Sequence, residues 1–223
     1  MNVSALYEVS GSAFVELGVK SFDLTGLCPP GWQDAIATCC ISSGVERRLD
    51  GSSLTSREPR SSGIWAPPVF SLVDGKDVAE QVPWLLDLYQ HEILHLAREN
   101  YGDVSCSTDS RAGVNINLQH SGSRYEWHVD SNPLTAVLFV TSHDSMDGGA
   151  LAFRPDTGER VTAETADHEL MIHPVSGTLI FFRAQRYAHQ VTEFSSKYRI
   201  GVPMNFFISG IPQDRADVDE YLY

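Results

Sequence analysis

Residues 113–142 read GVNINLQHSGSRYEWHVDSNPLTAVLFVTS. The opening GVNINLQH alternates apolar and polar side chains, the period of two that marks a half-buried strand. Residues 134–142, LTAVLFVTS, are apolar with β-branched and aromatic side chains and read as a buried strand. GGALAFRP, HELMIHP, GTLIFF, HQVTEF and YRIGVPMNFF follow, parted by Gly, Pro, Asp and Ser. About seven or eight short strands within about 95 residues predict a β-sandwich or barrel over 113–208.

Upstream the texture is helical and irregular. Residues 84–100, WLLDLYQHEILHLAREN, carry Leu85, Leu88, Tyr89, Ile93 and Leu96 at helical spacing. Pro83 suits a first helical position and Gly102 follows the end. SAFVELG (12–18) reads as a strand and QDAIATCC (33–40) as a short helix. Residues 41–63 are rich in Ser, Gly and Arg and read as a loop, with a lid as the functional expectation. The expectation is one domain over 1–223: residues 1–112 buttress a mainly β core at 113–208.

The totals exclude several classes. The chain has 223 residues and a formal charge of −13, with no evident basic patch, which makes nucleic acid a poor partner and a small molecule a better one. The best apolar run, AVLFV at 136–140, is far short of the roughly 20 residues of a membrane helix. No basic residue precedes Lys20 and no continuous apolar stretch marks a secretory signal. Cys28, Cys39, Cys40 and Cys106 fit no zinc-ribbon or disulfide framework. The expectation is a cytoplasmic protein with reduced thiols.

Two stretches offer metal chemistry. HEILH at 91–95 matches the zinc-peptidase pattern, in which two histidines one helical turn apart share the ion and the Glu activates water. A third ligand is missing: LARENYGD follows, without a downstream histidine. Glu92 also falls among the apolar side chains of the helical wheel. A packing helix with flanking histidines is therefore expected, and a zinc metallopeptidase using His91 and His95 is the distant alternative.

WHVD places His128 and Asp130 two residues apart, on one face of an extended strand. A non-haem iron site needs two imidazoles and one carboxylate, so the third ligand comes from another strand. Of His143, His168, His173 and His189, the last fits best, because it opens a strand after GTLIFF; His173 is its nearest rival. Arg199 follows ten residues after His189 and suits the far carboxylate of a chelating dicarboxylate.

In this order, SRYEWHVD, DGGALAFRP, PVSGTLIFF, HQV and KYRIGVPMNFF resemble the Fe(II)/2-oxoglutarate-dependent dioxygenases of the prolyl-4-hydroxylase-like branch. The resemblance spans about residues 113–208. It implies a double-stranded β-helix, or jelly roll, on supporting α-helices. It implies iron on His128, Asp130 and His189, with Arg199 on the distal carboxylate of 2-oxoglutarate, and O₂ as the oxidant. Prolyl hydroxylases usually carry Lys where Arg199 stands, and a usual Tyr is replaced by Gln119. Gln119, with Asn117, is accordingly expected to supply a cosubstrate hydrogen bond. Asp130 favours hydroxylation or another oxidation over halogenation, because halogenating relatives lack that carboxylate.

The expected substrate is a small molecule such as an amino acid or natural-product intermediate. Asn115, Arg183 and Asn132 are the candidate substrate contacts, with Arg154 and Arg186 weaker. A jelly-roll metal oxygenase or isomerase that does not use 2-oxoglutarate is the alternative reading.

Overall fold

The computed structural model of the chain describes residues 18–48, 69–156 and 170–212. Among these residues twelve strands form two antiparallel sheets. The larger contains β1 (Lys20–Asp23), β2 (Val45–Arg48), β3 (Val69–Val73), β4 (Val104–Cys106), β5 (Ile116–His120), β7 (Leu134–Phe139), β10 (Thr178–Phe182) and β12 (Tyr198–Ile208). Its order is β1-β10-β7-β12-β5-β3-β2, with β4 also paired to β12. The smaller contains β6 (Tyr125–His128), β8 (Leu151–Pro155), β9 (Leu170–Ile172) and β11 (Tyr187–Val191), in the order β6-β11-β8-β9. Two facing antiparallel sheets agree with the expected jelly roll.

The larger sheet is covered on both faces, which is why β7 is buried throughout and apolar save for Thr135, instead of alternating. Ala136 and Leu138 point outward into a core shared with Phe181, Val202, Met204 and Phe206. Val137 and Phe139 point inward, against Phe153, Ile180 and Phe182 between the sheets.

Helices cover the outer face. These are α1 (Trp32–Ser43), α2 (Gly75–Gln81), α3 (Pro83–Leu88) and α4 (Leu94–Tyr101). The Asp74 side chain starts α2 by accepting from the Lys76 and Asp77 amides. Pro83 opens α3, as its missing N–H allows. The long helix expected at 84–100 is present, but Tyr89–Ile93 is a π-helical turn between α3 and α4. Leu85 and Ile93 are fully buried there, each side chain worth about 1.5–3 kcal/mol. The Tyr89 hydroxyl donates to the Asn205 carbonyl at 2.6 Å and accepts from the Ser107 amide at 2.8 Å. That ties the helical layer to β12, the strand that carries Arg199.

Two expectations need correction. Residues 41–48 are not loop: they finish α1 and form β2, paired with β3 in register Arg47↔Phe70. A polar sequence serves at a sheet edge because the backbone, not the side chain, makes the ladder. The strand at 12–18 and the lid proper lie outside the described residues, apart from Gly18. In addition, β1–β4 come from the part read as mere support; β1 extends one edge of the sheet, β3 and β2 the other, and β4 pairs with the end of β12. Among the described residues no helix is long and apolar enough to cross a membrane.

Candidate metal centre and cosubstrate pocket

His128 ends β6 and His189 sits in β11, directly opposite in register. Their rings lie 4.1 Å apart between centroids. Asp130 follows β6 by two residues, and its Oδ1 lies 3.5 Å from Nε2 of each histidine. Among the described residues these three form the group of His, Cys, Asp or Glu donors that converge within 4.8 Å. An ion with ligand distances of about 2.1 Å holds neighbouring donors about 3 Å apart, close to this spacing.

The donor set suits a divalent cation. His128 Nδ1 lies 2.7 Å from the Glu126 carbonyl, and His189 Nδ1 lies 3.3 Å from the Tyr187 carbonyl. A carbonyl only accepts, so each Nδ1 carries the proton and each Nε2 turns a lone pair toward Asp130. Burial, followed by the neighbouring His189, pushes His128 down to about 4, so it is neutral and available as a ligand near pH 7. Asp130 is oriented too. Thr135 Oγ1 donates to its Oδ2 at 2.7 Å, and Asn132 Nδ2 donates to Thr135 Oγ1 at 2.9 Å. Oδ1 is thereby left facing the histidines.

Arg199 lies on the inner face of β12, only 4 % exposed. Its Nε donates to the Gly149 carbonyl at 2.9 Å and its Nη1 to Gln119 Oε1 at 3.3 Å. Burial alone lowers its pKa, to about 10, and no carboxylate among the described residues compensates its charge. A buried guanidinium without an anion is costly, so the pocket is chemically matched to an anionic ligand. Gln119 Nε2 and Asn117 Oδ1 are also buried without partners. They lie two residues apart on β5 and face Arg199 and Gly201 in register. Iron donors on the smaller sheet thus face a cationic pocket on the larger one. Both cofactors fit.

The remaining sequence candidates divide. Asn115 is buried; its neighbours Val114 and Ile116 join the helix-side core, which turns Asn115 toward the same inner face as Asn117 and Gln119. Asn132 spends its amide on Leu134 O and Thr135 Oγ1, which braces the Asp130 turn. Arg183 lies elsewhere. Its guanidinium lies over the Tyr101 ring of α4 and beside Gly18, because residue 183 falls one step past the inward-facing Phe182. Arg154 lies over the Trp127 ring, and Arg186 is exposed.

His173 lies outside the cluster and His168 outside the described residues. His91 and His95 belong to the exposed helical surface, with side chains 64% and 71% accessible. His91 pairs with Asp87 and His95 with Glu99. The π turn through HEILH also breaks the one-turn alignment that a zinc site needs.

Sequence reasoning missed Thr135. It sits in an apolar strand, and only the fold of the Asp130 turn brings its hydroxyl to the carboxylate. Gly149 was also missed, although its signal was present in the DGG at 147–149.

Residues 113–207 match the 2OG-Fe(II) oxygenase superfamily. Over that segment, 95 of the 223 residues, the chain is similar to this superfamily of Fe(II)- and 2-oxoglutarate-dependent oxygenases. Solved structures agree in fold. A Burkholderia pseudomallei oxidoreductase of the 2OG-Fe(II) oxygenase family is 14% identical with a TM-score of 0.61, covering 91% of this chain and 91% of its own. A Trichoplax adhaerens prolyl hydroxylase, in complex with a hypoxia inducible factor peptide fragment, is 13% identical with a TM-score of 0.59, covering 87% and 85%. HygX from Streptomyces hygroscopicus, with nickel, 2-oxoglutarate and hygromycin B bound, is 8% identical with a TM-score of 0.59, covering 90% and 87%. No curated protein sequence matches the chain.

Proposed function

We propose that the protein hydroxylates an unactivated C–H bond of a small molecule, holding Fe(II) on His128, Asp130 and His189 and 2-oxoglutarate on Arg199. The carrying observation is the pair of facing sites: three converging donors on one sheet and a buried, uncompensated guanidinium on the other. Iron and 2-oxoglutarate together supply oxidative decarboxylation of the cosubstrate coupled to oxidation of a substrate C–H bond.

The chain's own residues do the rest. The two Nε2 atoms and Asp130 Oδ1 would hold the ion. Arg199 neutralises the distal carboxylate and Gln119 Nε2 donates to the cosubstrate. Phe182, whose ring lies 4.9 Å from His189, and Phe153 at 6.1 Å keep bulk water off the ligand histidine. Asn115 and Asn117, on the inner wall, suit a substrate that carries hydroxyl or amide groups.

HygX, with its bound hygromycin B, supports a small-molecule substrate; the prolyl hydroxylase with its peptide keeps a peptide as the competing reading. A metal enzyme that does not use 2-oxoglutarate is disfavoured, because Arg199 would then stay buried beside no anion. We also infer one domain and a cytoplasmic location, the latter because all four cysteines are free.

The test compares His128→Ala with His91→Ala. The first is expected to lose bound iron and succinate formation from 2-oxoglutarate, and the second to keep both. Loss in His91→Ala with retention in His128→Ala refutes the assignment. Turnover measured against panels of amino acids, aminoglycosides and peptides then separates the substrate classes.

A further inference from the structure

His143 is a buried titratable group outside this account. It lies in the loop after β7 and is 5% exposed. Its Nδ1 is buried without a partner. The ring also hydrogen-bonds to the Tyr198 backbone, next to Arg199. A Cβ built on Gly149 would sit 3.1 Å from His143 Nδ1 and 3.5 Å from Arg199 Cδ, so the imidazole and the arginine share one small space over that glycine. Gly149 has φ +70°, a conformation that favours glycine, and its carbonyl holds Arg199 Nε. Phe194 closes the far side, edge-on to the imidazole at 5.3 Å.

We propose that His143 is a second anchor for the distal carboxylate of 2-oxoglutarate, taking up a proton on Nδ1 as the dicarboxylate binds beside Arg199. This rests on the reading of Arg199 as the cosubstrate anchor. Nδ1, buried and without a partner, is the nitrogen left to meet the ligand. In the ligand-free protein, burial and then Arg199 hold His143 below its usual range, so it is neutral near pH 7. The charged groups acting on it are Arg199, which opposes protonation, and Asp147 and Asp144, which favour it. An incoming carboxylate offsets Arg199 and gives Nδ1–H an acceptor. Both changes favour the imidazolium, and the proton comes from solvent. The sign follows: binding takes up a proton, so affinity for 2-oxoglutarate rises as pH falls from about 8 toward 6.

The experiment is anaerobic calorimetry of 2-oxoglutarate binding to the iron-loaded protein, in buffers of differing ionisation enthalpy. The wild-type protein is expected to take up a fraction of a proton at pH 7.5, growing as the pH falls toward 7. His143→Leu is expected to bind 2-oxoglutarate about 10- to 100-fold more weakly, the value of one hydrogen bond to a charged group. Its affinity for pyruvate, which lacks the distal carboxylate, is expected to stay the same. His143→Gln keeps an N–H donor but cannot titrate; it is expected to recover much of the affinity with no proton uptake, and it decides the matter if His143→Leu does not fold. Wild-type binding without proton uptake, or uptake unchanged in His143→Gln, overturns the proposal. Arg199→Leu separates the two readings. If it loses 2-oxoglutarate while the His143 variants behave as wild type, only the His143 assignment fails. If it also binds normally, the cosubstrate pocket itself has been misassigned.

Discussion

Replacing Thr135 with Val removes one hydroxyl from a site 3% exposed and leaves nearly the same shape. The hydroxyl gives Asp130 Oδ2 a hydrogen bond of 2.7 Å and accepts one from Asn132. Asn132 still keeps the Leu134 carbonyl as an acceptor, so the main loss is the bond to the carboxylate. A hydrogen bond to a charged group contributes about 1.5–3 kcal/mol. The loss divides between two measurable quantities. Part destabilises the iron-free fold, where the bond already exists. The rest weakens iron binding, because Asp130 must then be oriented as the ion arrives. Their sum is the prediction: about 1.5–3 kcal/mol, whichever way it divides. Urea unfolding of the iron-free protein gives the first part, and anaerobic chelator competition gives the second. If both stay within about 0.5 kcal/mol of wild type, below any hydrogen bond to charge, Thr135 does not orient Asp130.

Other expectations follow from the same geometry. Gly149→Ala places a Cβ 3.1 Å from His143 Nδ1 and 3.3 Å from Phe194 Cβ, at φ +70°. It is expected to cost about 1–2 kcal/mol of stability by thermal unfolding and to weaken 2-oxoglutarate binding, whereas Gly122→Ala, in open space, costs only the backbone strain. Burial pushes Cys39 up to about 11 and Cys40 up to about 12. A raised thiol pKa means less thiolate, so at pH 8 both should resist a disulfide reagent in the native state and react on unfolding; rapid native labelling of Cys40 would contradict its placement.

The strand pattern from 113 onward was legible because alternating and apolar runs follow from backbone periodicity alone. The His128–Asp130 pair was legible for the same reason, since i and i+2 share a strand face. His189 needed more than spacing: several histidines competed, and only the β6–β11 register brings one of them opposite His128. The placement of Arg183 was not legible, because its distance along the chain from His189 carries no information about which face of β10 it continues. The HEILH pattern was rightly set aside for want of a third ligand, and the π turn through it removes the regular helical face the pattern assumes.

Local chemistry therefore settled which side chains were able to hold a metal, and periodicity settled which segments were strands. Long-range pairing settled the rest. It closed the three donors within 4.8 Å, buried Arg199 without an anion and brought His143 to its side. Those relations join strands far apart in the chain, and a strand's local sequence does not encode its partner or its register. That choice is made by the two cores that close on either face of the larger sheet.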